Sequence, residues 1–159
     1  MDTKDILLYE SGDGGEMSVM SDDLVLSETL YQQVYLALFG GNIEANTSNN
    51  TLITEERKDW WGNELIYKET PSKQFNSNTE RTINNIALNS SGRLEVIRAV
   101  ESDLQYLTTL LNYSVDVELI NINRMRIIVN FTPKDNLQDR VLVLVYDNAR
   151  NELIIEQTI

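Results

Sequence analysis

The chain has 159 residues and a mass of 18.2 kDa, a size that suits one domain able to bury most of the surface its unfolded chain would expose. It carries 25 Asp and Glu residues against 13 Lys and Arg, a formal net charge of -12. This charge repels nucleic-acid phosphates and anionic lipid headgroups, so we expect no nucleic-acid partner and no membrane partner. The absence of cysteine excludes disulfides, thiolate metal sites and a catalytic cysteine.

The first part of the chain predicts short strands followed by a helix. Apolar runs at 6–9, 17–20 and 24–26 are separated by turns rich in Gly and Asp, a pattern typical of short strands. None of these runs is long enough for a signal peptide or a membrane span, so we expect the chain to be intracellular when it is made. The residues from Thr29 to Gln32 have capping-box spacing, and helical periodicity follows until Gly40-Gly41.

Two further helices are predicted before the period changes. A short one has capping-box spacing from Ser77 to Glu80, with Ile83, Ile86 and Ala87 on one side. A long one spans residues 92–112, because apolar residues recur there every three or four positions. Its predicted core face comprises Leu94, Ile97, Val100, Leu104, Leu107 and Leu111, and its predicted solvent face comprises Arg93, Glu95, Arg98, Glu101 and Asp103.

The C-terminal part alternates apolar and polar residues and predicts four strands. Residues 115–122 and 125–131 are joined by Asn121-Ile122-Asn123-Arg124, and residues 141–146 and 153–155 follow. Short connections permit hairpins but leave no room for crossover helices, so the sheet is expected to be antiparallel. Residues 141–145 are apolar on both faces and predict either an inner strand or a strand covered by another chain. The predicted class is α+β, an antiparallel sheet packed by one long and two shorter helices in a single domain, 1–159.

Both tryptophans of the chain lie side by side in the segment Arg57-Lys58-Asp59-Trp60-Trp61-Gly62-Asn63. Two interpretations are open, since aromatic pairs fill cores and also serve as interface anchors. Adjacent side chains of an extended loop point to opposite sides. One tryptophan is therefore expected to anchor the loop and the other to meet a partner. The nearby Arg57 and Arg81 are interpreted as surface charge, with partner docking as the alternative.

This segment and the order of elements around it resemble the gene product 46 family of phage Mu. The shared pattern runs from acidic N-terminal strands through an amphipathic helix ending in Phe39, the Trp60-Trp61-Gly62 loop, a short and a long helix, and a terminal hairpin beginning Val115-Asp116. It covers roughly residues 15–132, and residues 137–159 form a C-terminal strand extension. The family is related to the baseplate wedge proteins of contractile tails that carry a lysozyme-like label. The chain departs from it at Ile83-Asn84, where members commonly have Leu-Trp.

The resemblance implies a non-enzymatic structural subunit of the baseplate of a contractile phage or phage-like tail. Its partners would be other baseplate, sheath and spike or hub proteins in a sixfold arrangement, assembled in the host cytoplasm into the virion tail. It implies no cofactor, no metal and no small-molecule substrate. The partner-binding candidates are Trp60, Trp61, Gly62, Arg57 and Arg81. A terminal hairpin that lends a strand edge to a neighbour is a further hypothesis. The alternative function is a stand-alone acidic protein-interaction module.

An enzyme and a calcium-binding module fit the sequence less well. The chain has neither His nor Cys, and therefore lacks the commonest general base and the usual thiolate nucleophile. Paired carboxylates at Glu16, Asp22 and Asp23, or at Glu55 and Glu56, are interpreted as turn and solubilising residues, so no catalytic residue is assigned. The acidic glycine-rich run at 11–16 lacks the ligand spacing of a calcium-binding EF-hand loop and is interpreted as a turn.

Overall fold

The computed structural model describes residues 4–11, 14–17, 19–41, 60–135, 137–150 and 152–158. The chain folds into two compact units. The first unit comprises Met1–Tyr9 and Gly15–Asn85, and the second comprises Glu10–Gly14 and Ile86–Ile159. The single domain over residues 1–159, with a core at 15–132 and an extension at 137–159, stays a prediction.

Short strands make up the start of the chain, as the alternation of apolar runs and turns predicted. The strand β1 (Lys4–Ile6) pairs antiparallel with β6 (Leu26–Glu28), and β4 (Val19–Met20) pairs antiparallel with β5 (Asp23–Leu24). Ser21 and Asp22 join β4 to β5 with φ values of 54° and 65°, the left-handed conformation that a tight two-residue hairpin needs. The strands are β1 (Lys4–Ile6), β2 (Leu8–Ser11), β3 (Gly14–Met17), β4 (Val19–Met20), β5 (Asp23–Leu24) and β6 (Leu26–Glu28).

Three helices complete the first unit within its described residues. The helix α1 (Thr29–Phe39) begins at the predicted capping residue and ends before the predicted Gly40, and its side chains from Val34 to Phe39 are all buried. A short helix α2 (Trp61–Ile66) was not predicted. After a 3₁₀ turn at Pro71–Lys73, α3 (Thr79–Asn85) packs on α1. Its Ile83 is buried as predicted, whereas Ile86 and Ala87 lie beyond the end of the helix.

The second unit is one long helix and an antiparallel meander. A helix α4 (Ser90–Leu104) is followed by a 3₁₀ segment and then by β7 (Leu111–Asn121), β8 (Arg124–Pro133), β9 (Arg140–Asp147) and β10 (Glu152–Thr158). The strand order is β10-β9-β8-β7, with every neighbouring pair antiparallel. The α+β class is therefore confirmed. The apolar run at 141–145 forms an inner strand, which confirms that interpretation.

The helix α4 ends earlier than predicted, and its buried face matches the prediction at Val100 and Leu104 but not at Leu94. Residues 105–109 form a 3₁₀ helix and Leu111 is already the first residue of a strand. Leucines at 104, 107 and 111 continue the helical spacing, so periodicity alone does not mark this end. Leu94, predicted to be core, is 50% exposed, and Asp103, predicted to face solvent, is buried. The buried face of α4 comprises Gly92, Val96, Ala99, Val100, Asp103 and Leu104.

The carboxylate of Asp147 on β9 accepts hydrogen bonds from β8 and from the turn that follows β9. Its Oδ2 accepts a hydrogen bond from Arg124 Nε at 2.7 Å. Its Oδ1 accepts from the backbone N–H groups of Ala149 at 3.0 Å and Arg150 at 3.3 Å. The hydrogen bond from Arg124 holds the pKa of Asp147 below its ordinary value of 3.8, helped by the Arg124 charge and the two amides and opposed by burial.

Replacing Asp147 with asparagine is expected to make stability less dependent on pH. A carboxylate whose pKa is depressed by folding stabilises the protein above its unfolded-state value and loses that effect as pH falls through the folded-state value. The stability gap between wild type and Asp147→Asn should therefore shrink below pH 3.8. Urea unfolding followed by far-UV circular dichroism at neutral pH and near pH 3 measures this gap. Asp135→Asn, at an exposed carboxylate, is the control for the change in net charge. A stability difference between wild type and Asp147→Asn that persists in acid would contradict the expectation.

Candidate functional site

The two tryptophans belong to one aromatic cluster in the first unit, defined by Trp60, Trp61, Tyr67 and Phe75. The ring centroids of Trp60 and Trp61 lie 5.3 Å apart, and Phe75 meets Trp60 edge-on at 5.5 Å. Tyr67 approaches Phe75 at 6.2 Å. These separations fall in the range in which aromatic pairs attract beyond simple burial. The aromatic cluster is therefore the main apolar contact between α2 and the segment that precedes α3.

The aromatic cluster corrects the expectation that the two rings point to opposite sides of an extended loop. Trp60 immediately precedes α2 and Trp61 is its first residue, so the backbone is already turning into a helix. Trp60 is 6% exposed and anchors the segment. Trp61 is half-buried, with its indole N–H enclosed and lacking an acceptor among the described residues. Among residues 60–63, the part of the motif that the structure describes, Trp61 is thus the least buried.

Gly62 is required by the position of the Trp60 ring. A Cβ atom at residue 62 would lie between 2.2 and 2.7 Å from three atoms of that ring. Real Cβ atoms do not approach so closely, and the Trp60 ring is held by its contacts with Trp61 and Phe75. The glycine of the motif therefore has a packing role, because it gives the indole room to lie across α2.

Asn63, which was not predicted as a site residue, joins α2 to the segment around Phe75 by hydrogen bonds. Its Nδ2 donates to the Phe75 carbonyl at 2.8 Å, and its Oδ1 accepts from the Phe75 backbone N–H at 2.8 Å. The side-chain amide thus pairs with both backbone groups of one residue, as a neighbouring strand would. Asn63 is fully buried, so losing either bond would leave a polar group unsatisfied. Its place directly after Gly62 in the tryptophan motif was the available signal.

Ser77 closes the C-terminal end of α1 from 37 residues away. Its Oγ donates to the Ala37 carbonyl at 2.7 Å and accepts from the Gly40 backbone N–H at 2.9 Å. The capping-box interpretation of Ser77 is therefore wrong, because its hydroxyl is used by α1. The carbonyl of Asn78 instead accepts the first helical bond of α3, from Thr82 at 2.8 Å. Residues 76–78 thus join the end of α1 to the start of α3.

Replacing Ser77 with alanine should destabilise the first unit by about 1–3 kcal/mol, because the buried carbonyl of Ala37 would lose the hydroxyl donor that caps it. Both tryptophans lie in this unit, so the tryptophan fluorescence midpoint in urea measures the loss. The exposed Ser72→Ala is a matched control and should change stability by less than about 0.5 kcal/mol. Equal midpoints for the two variants would show that the Ser77 hydroxyl does not stabilise α1.

Arg81 is not surface charge, and that interpretation is wrong. Its side chain is 0% exposed. Nη1 donates to Asn76 Oδ1 at 3.0 Å and Nη2 donates to Asn78 Oδ1 at 2.8 Å. Burial of an arginine is costly unless its donors are satisfied, so these amide oxygens stabilise the buried position of Arg81 on α3. The other predicted arginine, Arg57, lies outside the described residues.

The chemistry of this site is that of packing and amide hydrogen bonding. In the part of the chain that the structure describes, no three or more Asp or Glu side chains come together as a metal site would require. No helix in the described ranges is long and apolar enough to cross a membrane. Comparison with protein-family models, with curated proteins and with solved structures found no match.

Proposed function

We propose that this protein is a structural subunit of the baseplate of a contractile phage or phage-like tail, acting by contact with other proteins. The observation that carries this role is the order of its elements. Short paired strands lead to α1, the two tryptophans open α2, and a short and a long helix precede an antiparallel hairpin. The sequence pattern of the phage Mu gene product 46 family has the same order. The order of the strands, of α1, α3 and α4 and of the hairpin supports the proposal, although α2 lies where that pattern has a loop.

The edge strand β10 supports a role in subunit joining. It is the outermost strand of the sheet, and no strand among the described residues pairs with its outer side. An unpaired edge presents backbone N–H and C=O groups that a strand from a neighbour can bond. The opposite edge is different, because Arg93 of α4 bonds the Val117 carbonyl and the Asp116 carboxylate of β7. A neighbour joining by strand addition would therefore use β10.

Trp61 is the proposed contact within the aromatic cluster. The Trp61 ring packs against the buried Trp60 ring, so the accessible part of Trp61 is held in a fixed position. Tryptophan is enriched among the residues that contribute most to binding at interfaces. In this role Trp60 and Gly62 act indirectly, by fixing the ring, and Trp61 makes the contact.

Quantitative mass spectrometry of gradient-purified tail particles, from cells that carry the gene, tests the proposal. The protein should be recovered with tube, sheath and spike proteins in a multiple of six copies per particle, since the assembled tail is sixfold. Particles from cells with the gene deleted are the control, and they should lack complete baseplates. Absence of the protein from intact tails would exclude the baseplate role and favour the stand-alone acidic interaction module.

A further inference from the structure

The N-terminal ribbon, defined as β1, β4, β5 and β6, exposes apolar side chains that the proposed contacts do not use. Val19 is 64% exposed, Leu24 40% and Leu26 54%. Single exposed apolar residues are common on protein surfaces, but contiguous ones mark interaction sites. These three residues come from one short stretch of chain. Whether they are isolated or form one contiguous patch depends on how the strands of the ribbon pair.

Strand pairing places these side chains side by side. Val19 lies directly opposite Leu24 in the β4–β5 pair, and Ile6 lies opposite Leu26 in the β1–β6 pair. Leu24 and Leu26 are two residues apart in extended chain and therefore face the same side. The Leu7 N–H donates to the Val25 carbonyl at 2.8 Å, which extends the β1–β6 pairing by one residue toward β5. Ile6, Leu26, Leu24 and Val19 thus form one row, called the apolar row below.

The apolar row lies in the most acidic part of the sequence. The first 28 residues hold eight Asp and Glu residues and one Lys, a net charge of -7 out of the total of -12. Of the carboxylates, Asp5, Asp22 and Asp23 are on the ribbon itself and exposed. A partner that covers the row must approach through this negative field, which favours positive surfaces and repels negative ones.

We propose that the N-terminal ribbon docks into an apolar groove, rimmed by Lys and Arg, on a different protein. Two-stranded ribbons are marginally stable alone, and burying the apolar row would stabilise this one while its carboxylates meet the basic rim. A second copy of this chain is a poor occupant, because two ribbons would bring like charges together. The ribbon contact would add a second contact surface to the proposed baseplate subunit. It depends on that proposed function only for the identity of the partner.

Site-specific photocrosslinking in cells tests the ribbon directly. A photoreactive amino acid is placed at Val19, and at Ile122 as a control, since Ile122 is an exposed apolar residue of the second unit with Arg124 rather than carboxylates nearby in sequence. Crosslinked peptides are then mapped by mass spectrometry. The residue at 19 should crosslink to one segment of another protein that combines apolar residues with an excess of Lys and Arg, and the residue at 122 should not reach that segment.

Variants of the purified complex test the two components of the contact. Leu24→Ser should weaken binding about tenfold, as expected for losing one buried leucine. Asp22→Asn combined with Asp23→Asn should also weaken it, and rising salt should reduce wild-type binding because screening weakens charge attraction. Asp135→Asn combined with Asp139→Asn makes the same charge change at exposed carboxylates of the second unit and should leave binding unchanged. Circular dichroism verifies that each variant folds.

Several results would overturn the ribbon proposal. These are a crosslink from residue 19 to another copy of this chain, to another part of the same chain or to an acidic segment, and no crosslink above the control. Binding that strengthens with salt would also overturn it. A crosslinked partner that is absent from tails would support the ribbon and count against the baseplate role. Recovery of the protein in tails without a crosslink from residue 19 would support the baseplate role and count against the ribbon proposal.

Discussion

Replacing Trp60 with alanine should cost the first unit about 3–5 kcal/mol of unfolding free energy. The Trp60 side chain is buried, and its ring contacts both Trp61 and Phe75. Its removal would leave a cavity beside Gly62, whose missing side chain cannot fill the space. The pair of bonds from Asn63 to the Phe75 backbone would then hold the next segment without the aromatic contact.

Urea unfolding monitored by the fluorescence of the remaining tryptophan measures this loss. Trp61→Ala is the matched control, because Trp61 is half-buried. It should cost clearly less stability than Trp60→Ala while weakening assembly into tails. Equal losses of stability would show that both rings serve the fold alone, and would remove Trp61 as a contact residue.

Arg81→Ala should have an effect of similar size, about 3–5 kcal/mol, since it removes a large, fully buried side chain and leaves a cavity. The guanidinium donates to the side chains of Asn76 and Asn78, on the segment that joins α1 to α3. Losing it should therefore weaken the cap on α1 and the start of α3 together. Thermal and urea unfolding of the purified variant measure the effect.

Arg98→Ala removes the same charge from an exposed position of α4 and should change stability by less than about 0.5 kcal/mol. If Arg81→Ala were as stable as this control, the buried guanidinium would not stabilise the first unit. A large loss of stability would instead explain any assembly defect through the fold.

The C-terminal sheet was predictable because two independent signals agree there. Alternation of apolar and polar residues along β8 places Met125, Ile127, Val129 and Phe131 in the core, and the short connections specify hairpins. The end of α4 was less predictable, because its leucine spacing suits a helix, a 3₁₀ turn and the first residue of a strand equally well. Local patterns specify local structure only where a single period fits.

The candidate site was predictable in part. The tryptophans were found from their rarity and position, but α2 was missed because it is six residues long and has no side-chain cap. The buried Arg81 and the cap from Ser77 depend on contacts between segments that are distant in the sequence. Arginine and serine are mostly exposed in proteins, so nothing in their local sequence indicates burial. Such residues are identified by tertiary structure alone.

The cap on α1 has a kinetic consequence. The Gly40 amide bonds within its own helix, to the Leu36 carbonyl at 2.8 Å, and across the chain to Ser77. A helix end normally frays independently of the rest of a protein, and its amides exchange rapidly with solvent. Here the Ala37 carbonyl and the Gly40 amide gain the Ser77 hydroxyl as a partner only after a segment 37 residues away has docked. Hydrogen exchange at the Gly40 amide should therefore report the opening of the entire α1–α3 contact. Because this contact joins residues distant in sequence, the first unit should fold more slowly than its helix content would suggest.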